Sequence, residues 1–175
     1  MILWSTVGVQ IAKAMGASPV IGICSEKNRG LVKSLGADRV IAYDSPSFES
    51  ELDSLKGSVS LVYDTVTSFD PRDPNYEPLL RPLLHPIAGR YVAINAMPSD
   101  WIRALLSQIP GLPNLQRDRY DLVLVQPDSD MLIQAAKWAE AKKLRVSTTE
   151  VRSVEEAVEG LKSRRHVGKY VIKLG

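Results

Sequence analysis

Ser5, Thr6, Val7 and Gly8 stand between a short apolar run and the start of a helical pattern. That placement suits holding an anion. A strand that breaks straight into a helix presents backbone N–H groups and the positive helix end to a phosphate, and hydroxyls beside them add donors. Only Gly8 supplies glycine at this turn. A turn built for pyrophosphate normally uses several glycines, so that the backbone can approach the ligand. Two readings stand side by side: a phosphate cradle, or a shortened turn that only connects strand to helix.

The other polar stations follow apolar runs in the same way. Ser25 comes directly after residues 19–24 (PVIGIC), with Lys27 and Arg29 close behind. At the end of a second strand, an acidic residue takes ribose hydroxyls, whereas a small polar residue with a nearby cation suits a 2′-phosphate. Glu26 argues for the first arrangement and Ser25 with Lys27 for the second. The plain alternative is a helix start, with Ser25 as N-cap and the cations on a wet face. Tyr43 closes the next run and fits either the adenosine end of a nucleotide or an interfacial tyrosine with a wet hydroxyl. Asp64, Thr65 and Val66, then Asn95 and Ala96, then Val125 and Gln126 end later runs. All would lie at the carboxyl edge of a parallel sheet, where ligands bind, and each taken singly is also an ordinary loop residue.

Other chemistries find little support. The two histidines, His85 and His166, are far apart, and the single cysteine, Cys24, sits in an apolar run, so no zinc ligand set and no disulfide framework is expected. Cys24 reads as a small core residue, not a nucleophile. No G-x-S-x-G elbow occurs. A net charge of +2, with basic residues spread except at Arg164-Arg165-His166, argues against nucleic acid. No apolar run is long enough to span a bilayer and no secretory signal is evident, so a cytoplasmic protein is expected.

The elements that must position these residues alternate. Strand-like runs at 2–4, 19–24, 39–43, 59–64, 90–95 and 120–125 are separated by helical patterns at 8–15, 26–35, 48–55, 79–84, 100–108 and 131–142. Ser99 is expected to cap the fifth of these helices and Ser129 or Asp130 the sixth. Gly16, Gly36 and Gly57 stop the first three. Short continuous apolar strands alternating with helices specify an α/β fold with a doubly wound parallel sheet of about six strands. A C-terminal β-α-β extension follows: a strand at 144–151, a helix at 153–163 with the capping box Ser153-x-x-Glu156, and a strand at 169–174. The expected division is 1–143 for the dinucleotide-binding domain and 144–175 for the extension. The chain begins almost inside its first strand, which leaves room for further sequence ahead of it.

Taken in order, residues 11–17 (IAKAMGA), 24–25 (CS), 31–43 (LVKSLGADRVIAY), 62–66 (VYDTV), 89–94 (GRYVAI), 141–145 (AKKLR), 154–159 (VEEAVE) and 168–173 (GKYVIK) resemble the medium-chain dehydrogenase/reductase superfamily. The branch they resemble is the zinc-independent quinone oxidoreductase and enoyl reductase-like group. Any one block is weak; the ordered set is specific. The resemblance implies a Rossmann domain that binds a nicotinamide dinucleotide, with NADP(H) preferred over NAD(H), and Thr6, Val7, Gly8, Ser25, Lys27, Tyr43, Asp64, Thr65, Val66, Asn95, Ala96, Val125 and Gln126 as its cofactor-binding residues. It implies no catalytic side chain, because the cofactor carries the hydride to an activated alkene or carbonyl.

Members of the family carry a GroES-like catalytic domain ahead of this point, and the last strands pack against it. By that resemblance, this chain alone is expected to be inactive or weak. The strands at 144–151 and 169–174 would be free to associate, including into a homo-oligomer. The alternative is a degenerate Rossmann module that has kept the fold and only mediates interactions. A methyltransferase using S-adenosylmethionine fits less well, since no G-x-G-x-G follows the first strand.

Overall fold

The computed structural model describes residues 1–3, 5–67, 74–95, 97–113, 119–123, 126, 128–146, 148–162 and 168–173. Its strands are β1 (Ile2–Leu3), β2 (Ile21–Cys24), β3 (Arg39–Ala42), β4 (Leu61–Asp64), β5 (Arg90–Ala93) and β6 (Tyr120–Leu122), followed by β7 (Thr148–Val151) and β8 (Lys169–Ile172). Its helices are α1 (Thr6–Ala14), α2 (Arg29–Ser34), α3 (Phe48–Asp53), α4 (Glu77–Leu80), α5 (Pro98–Leu106), α6 (Ser129–Glu140) and α7 (Val154–Lys162).

The first six strands form one parallel sheet in the order β3-β2-β1-β4-β5-β6. Ile2 lies opposite Ile21 on one side and Val62 on the other, so β1 is central. Successive connections reverse direction between β1 and β4, which opens a crevice at the carboxyl ends of those strands. The doubly wound parallel sheet expected from the alternating pattern is the one observed.

Each face of the sheet has its own core. Val9, Ala12, Val20, Val32, Ala37 and Val40 pack together where α1 and α2 cover one face. Ile21, Ile23, Ile41, Phe48, Leu52, Val62 and Leu80 belong to the larger cluster on the opposite face. Neighbours in β3 divide between the clusters, Val40 to one and Ile41 to the other, because alternate strand residues point to opposite faces. Gly22 is what lets α2 sit so close: a Cβ there would stand 2.5 Å from Val32 Cγ1.

Several boundaries differ from the sequence pattern. Helix α1 starts at Thr6, two residues earlier than expected, because Ser5 Oγ accepts the Gly8 N–H at 3.1 Å and caps it. Gly8 is thus inside the first helical turn, not in a loop. Helix α5 opens on Pro98 with Met97 as the flanking residue, so Ser99 is not its cap; proline is pre-organised for a first helical position. Helix α6 is capped by Asp128, whose Oδ1 accepts the Met131 N–H at 3.0 Å, and not by Ser129 or Asp130. The second helical region begins as a 3₁₀ turn at Glu26–Asn28.

The C-terminal strands pair with each other in parallel, Thr148 opposite Lys169 and Val151 opposite Ile172, forming a separate two-stranded sheet. This is the parallel pair of the expected β-α-β extension, and each of its strands keeps an outer edge without a strand partner among the described residues. The expected strand at 144–151 is also shorter, because the backbone at Arg145 is engaged elsewhere. Gln10, 4% exposed in α1, donates from Nε2 to the Arg145 carbonyl at 2.9 Å and accepts the Arg145 N–H on Oε1 at 2.6 Å. This two-way amide clasp ties the start of the C-terminal segment to the helix behind the first turn. Ser153 and Glu156 do meet at the start of α7: the Glu156 N–H donates to Ser153 Oγ at 3.1 Å, while the Glu156 carboxylate accepts the Arg152 N–H at 3.0 Å. Among the described residues, no helix is long and apolar enough to cross a membrane.

Candidate functional site

A cleft of about 500 Å³ opens at the carboxyl ends of β1, β2 and β4, where the strand order reverses. Ser5 and Thr6 form its floor at the start of α1, with Cys24 and Ser25 at the end of β2. Thr65 and Val66 line it from the β4 side and Tyr43 from beyond β3. The fold thus brings together Thr6, Ser25, Tyr43, Thr65 and Val66, which the sequence separates widely.

The first turn retains donors despite its scarcity of glycine. Ser5 Oγ uses up the Gly8 N–H, but the N–H groups of Thr6 and Val7 carry no hydrogen bond among the described residues. First-turn amides are the groups a helix offers to an anion. Val7 and Gly8 are not among the residues that line the cleft. Any part they take is through the backbone at the helix start, and for Gly8 that donor is already taken.

The second station separates its two readings. Ser25 makes no side-chain capping bond. The cap comes from Asp44, whose Oδ1 accepts the Glu26 N–H at 2.7 Å. The Ser25 hydroxyl is left without a partner among the described residues, although the residue is only 5% exposed and lines the cleft. A buried hydroxyl without a partner normally pairs with water or a ligand.

Beyond Ser25, Arg29 grips the Glu26 carboxylate with Nε and Nη2, at 2.7 and 2.8 Å, and donates from Nη1 to the Val40 carbonyl at 2.7 Å. The Arg29 guanidinium holds the Glu26 carboxyl below the usual carboxylate range. Both residues of that pair are committed to the protein. Lys27 is exposed and has no ion-pair partner among the described residues. Burial pushes the Cys24 thiol up, away from the reactive thiolate form.

Asp64 does not line the cleft. It is 1% exposed. One carboxylate oxygen accepts the Tyr91 hydroxyl, and the other accepts the N–H groups of Val66 and Thr67 at 2.8 and 3.0 Å. Its carboxylate holds the loop instead of facing a ligand, because a buried charge must be met by internal donors. Asn95 and Gln126 are exposed and lie outside the cleft. Ala96 and Val125 lie outside the described residues, as do Trp4, Arg164, Arg165 and His166. Of the residues that the resemblance assigns to the nicotinamide half, Thr65 and Val66 line the cleft, whereas Asp64, Asn95 and Gln126 do not.

Pro74, Tyr76, Asn28 and Gly168 also line the cleft, and sequence reasoning did not select them. Burial pushes the Tyr76 phenol up. A pointer to the Tyr91–Asp64 contact was present in the sequence: a tyrosine inside a short strand, followed by Val92 and Ala93, needs an acceptor for its hydroxyl when it is buried. Among the described residues, no three His, Cys, Asp or Glu side chains are grouped so as to hold a metal ion.

Comparison with known proteins agrees with this fold. The trans-enoyl reductase pgmF of Aspergillus terreus is 26% identical over 181 residues, covering 97% of this chain and 48% of that protein. The quinone oxidoreductase from Coxiella burnetii superposes with a TM-score of 0.70 at 23% identity, covering 97% of this chain and 49% of that one. CurA from Vibrio vulnificus, solved in complex with NADPH, superposes with a TM-score of 0.67 at 19% identity, covering 97% and 53%. The chain spans about half the length of the curated relatives it matches. It matches the family model for zinc-binding dehydrogenases over residues 35–172, and it belongs to that family, within the medium-chain dehydrogenase/reductase superfamily.

Proposed function

We propose that this chain is the nicotinamide dinucleotide-binding part of an oxidoreductase that transfers hydride to an activated alkene or carbonyl, as a quinone or enoyl reductase does, and that it prefers NADP(H). The observation that carries the reading is the Ser25 hydroxyl: buried in the cleft wall at the end of β2, unpartnered among the described residues, and relieved of capping by Asp44. In a doubly wound sheet this is the ribose station. Lys27 beyond it is the cation available for a 2′-phosphate, because Arg29 and Glu26 neutralise each other.

When bound, the cofactor supplies the hydride. The chain's own residues hold and orient it: the Thr6 and Val7 amides at the diphosphate, Ser25 and Lys27 at the ribose phosphate, and Tyr43 at the adenosine end. We place the domain boundary near residues 143 and 144, supported by the separate β7–β8 sheet. The substrate would meet the cofactor against a domain outside this chain, so the isolated chain is expected to bind without appreciable turnover.

Titration of NADPH and NADH, followed by melting temperature, tests this. NADPH should bind more tightly, and Lys27→Ala should weaken NADPH by about fivefold to tenfold while leaving NADH nearly unchanged. Equal losses remove the 2′-phosphate assignment. No effect of either nucleotide at millimolar concentration removes cofactor binding.

A second reading, a non-catalytic interaction module that includes self-association, is favoured by the apolar side chains left exposed in the C-terminal region: Met131 and Leu132 at 70% and Val154 at 58%. A concentration-dependent oligomer with no nucleotide response would favour it.

A further inference from the structure

Among the described residues, Thr65, Val66, Pro74 and Tyr76 line the cleft on the β4 side. These four residues lie between β4 and α4 and belong to no strand or helix. What holds them is a buried polar chain. Tyr91 in β5 donates its hydroxyl to Asp64 Oδ2, and both residues are 1% exposed. Asp64 Oδ1 receives the Val66 and Thr67 N–H groups. Thr67, 9% exposed, then accepts the Tyr76 N–H on its hydroxyl oxygen at 3.1 Å. Both ends are held by ring contacts: Tyr76 meets Phe48 edge to face at 6.4 Å, and Tyr91 stacks on Tyr120 at 5.6 Å.

We propose that Tyr91 and Asp64 are positioning residues for this cleft: their buried contact sets the wall formed by Thr65, Val66, Pro74 and Tyr76, and through it the affinity for the bound nucleotide, which rests on the dinucleotide reading above. Neither side chain lines the cleft, so each acts through the loop amides. The physical reason is that a buried carboxylate cannot tolerate a lost donor. Without the Tyr91 hydroxyl, Asp64 must find another partner or admit water, and either course moves the two amides that share its other oxygen. Burial and the adjacent Asp64 carboxylate push the Tyr91 phenol up, so it remains a donor.

The test compares Tyr91→Phe, which removes only the oxygen, with Val59→Ala. Val59 belongs to the same core at the opposite end of β4, bridged to Leu84, and serves as a control for general destabilisation. Amide hydrogen exchange of the ligand-free chain and NADPH affinity are measured for both variants. Tyr91→Phe should speed exchange at Val66 and Thr67 by about tenfold and weaken NADPH by about fivefold or more, effects absent from Val59→Ala. Exchange at these amides no faster than in Val59→Ala, or looser amides with unchanged NADPH affinity, overturns the proposal. A wild-type chain that binds neither NADPH nor NADH removes the nucleotide reading, and amide exchange then decides by itself whether Tyr91 sets the wall.

Discussion

Ile41 in β3 is fully buried, whereas Leu132 in α6 is 70% exposed, although both lie in strongly apolar stretches. The contrast extends to the regions around them. Strands β2 and β3 are buried along nearly their whole length, and helices cover both faces of the sheet. Helix α6 contains no buried residue, and β7 is exposed at three of its four positions. Apolar sequence therefore does not define a core. A core exists where a second layer closes over it, and the six-stranded sheet has two such layers. One polar and specific link ties the C-terminal unit to the helix behind the first turn: the Gln10 clasp on Arg145.

The largest expected effect separates the two regions directly. Ile41→Ala should cost about 2–5 kcal/mol in urea unfolding. Leu132→Ala should change stability by less than about 0.5 kcal/mol, as an exposed substitution does. Comparable losses would mean that α6 is packed in solution and that the contrast is wrong.

Gln10→Ala comes next. It leaves the Arg145 N–H and carbonyl without their partners and should cost about 1–3 kcal/mol. The loss should appear as faster amide exchange across 145–172, ahead of any change in β2 and β3. Uniform loosening of sheet and extension together would show that the clasp is not their distinguishing link.

The smallest effect concerns pH and belongs to the sheet alone. Asp38 accepts the Val20 N–H at 2.7 Å and pairs with Lys13, and these contacts hold its carboxyl below the usual range. A lowered folded-state value gives stability that is complete above the unfolded value of about 3.9 and is lost as pH falls from there through the folded value. Acid titration of the melting temperature should therefore be shallower in Asp38→Asn than in wild type. Identical slopes would remove Asp38 from the acid response.

The alternation of apolar strands and helical patterns was enough to read the parallel sheet, because a period of two or an unbroken apolar run reports the burial of each strand face locally. Ser25, Thr6 and Tyr43 could be found in the same way, since the residue after a parallel strand lies at the ligand edge whatever its side chain. The helix starts were harder. Ser5 and Asp128 displaced the expected starts by donor geometry, which spacing does not encode. Asp44 could not be seen as the cap of the 3₁₀ turn, because it arrives from 18 residues away. Asp64 was read as a ligand contact because its place at a strand end is right, yet its carboxylate points to Tyr91 in the next strand.

The sequence by itself determined the class of fold, the order of its elements and the sheet edge that carries the site. These follow from local periodicity and from the rule that parallel strands need helical crossovers. Only the tertiary structure decided which polar groups are consumed and which remain available. Arg29 is spent on Glu26, Asp64 on Tyr91 and Gln10 on Arg145, while Ser25 keeps its hydroxyl. Buried donors and acceptors must be paired wherever the fold brings them together. The Asp64–Tyr91 and Gln10–Arg145 pairings join residues 27 and 135 positions apart, and no local spacing along the chain records them.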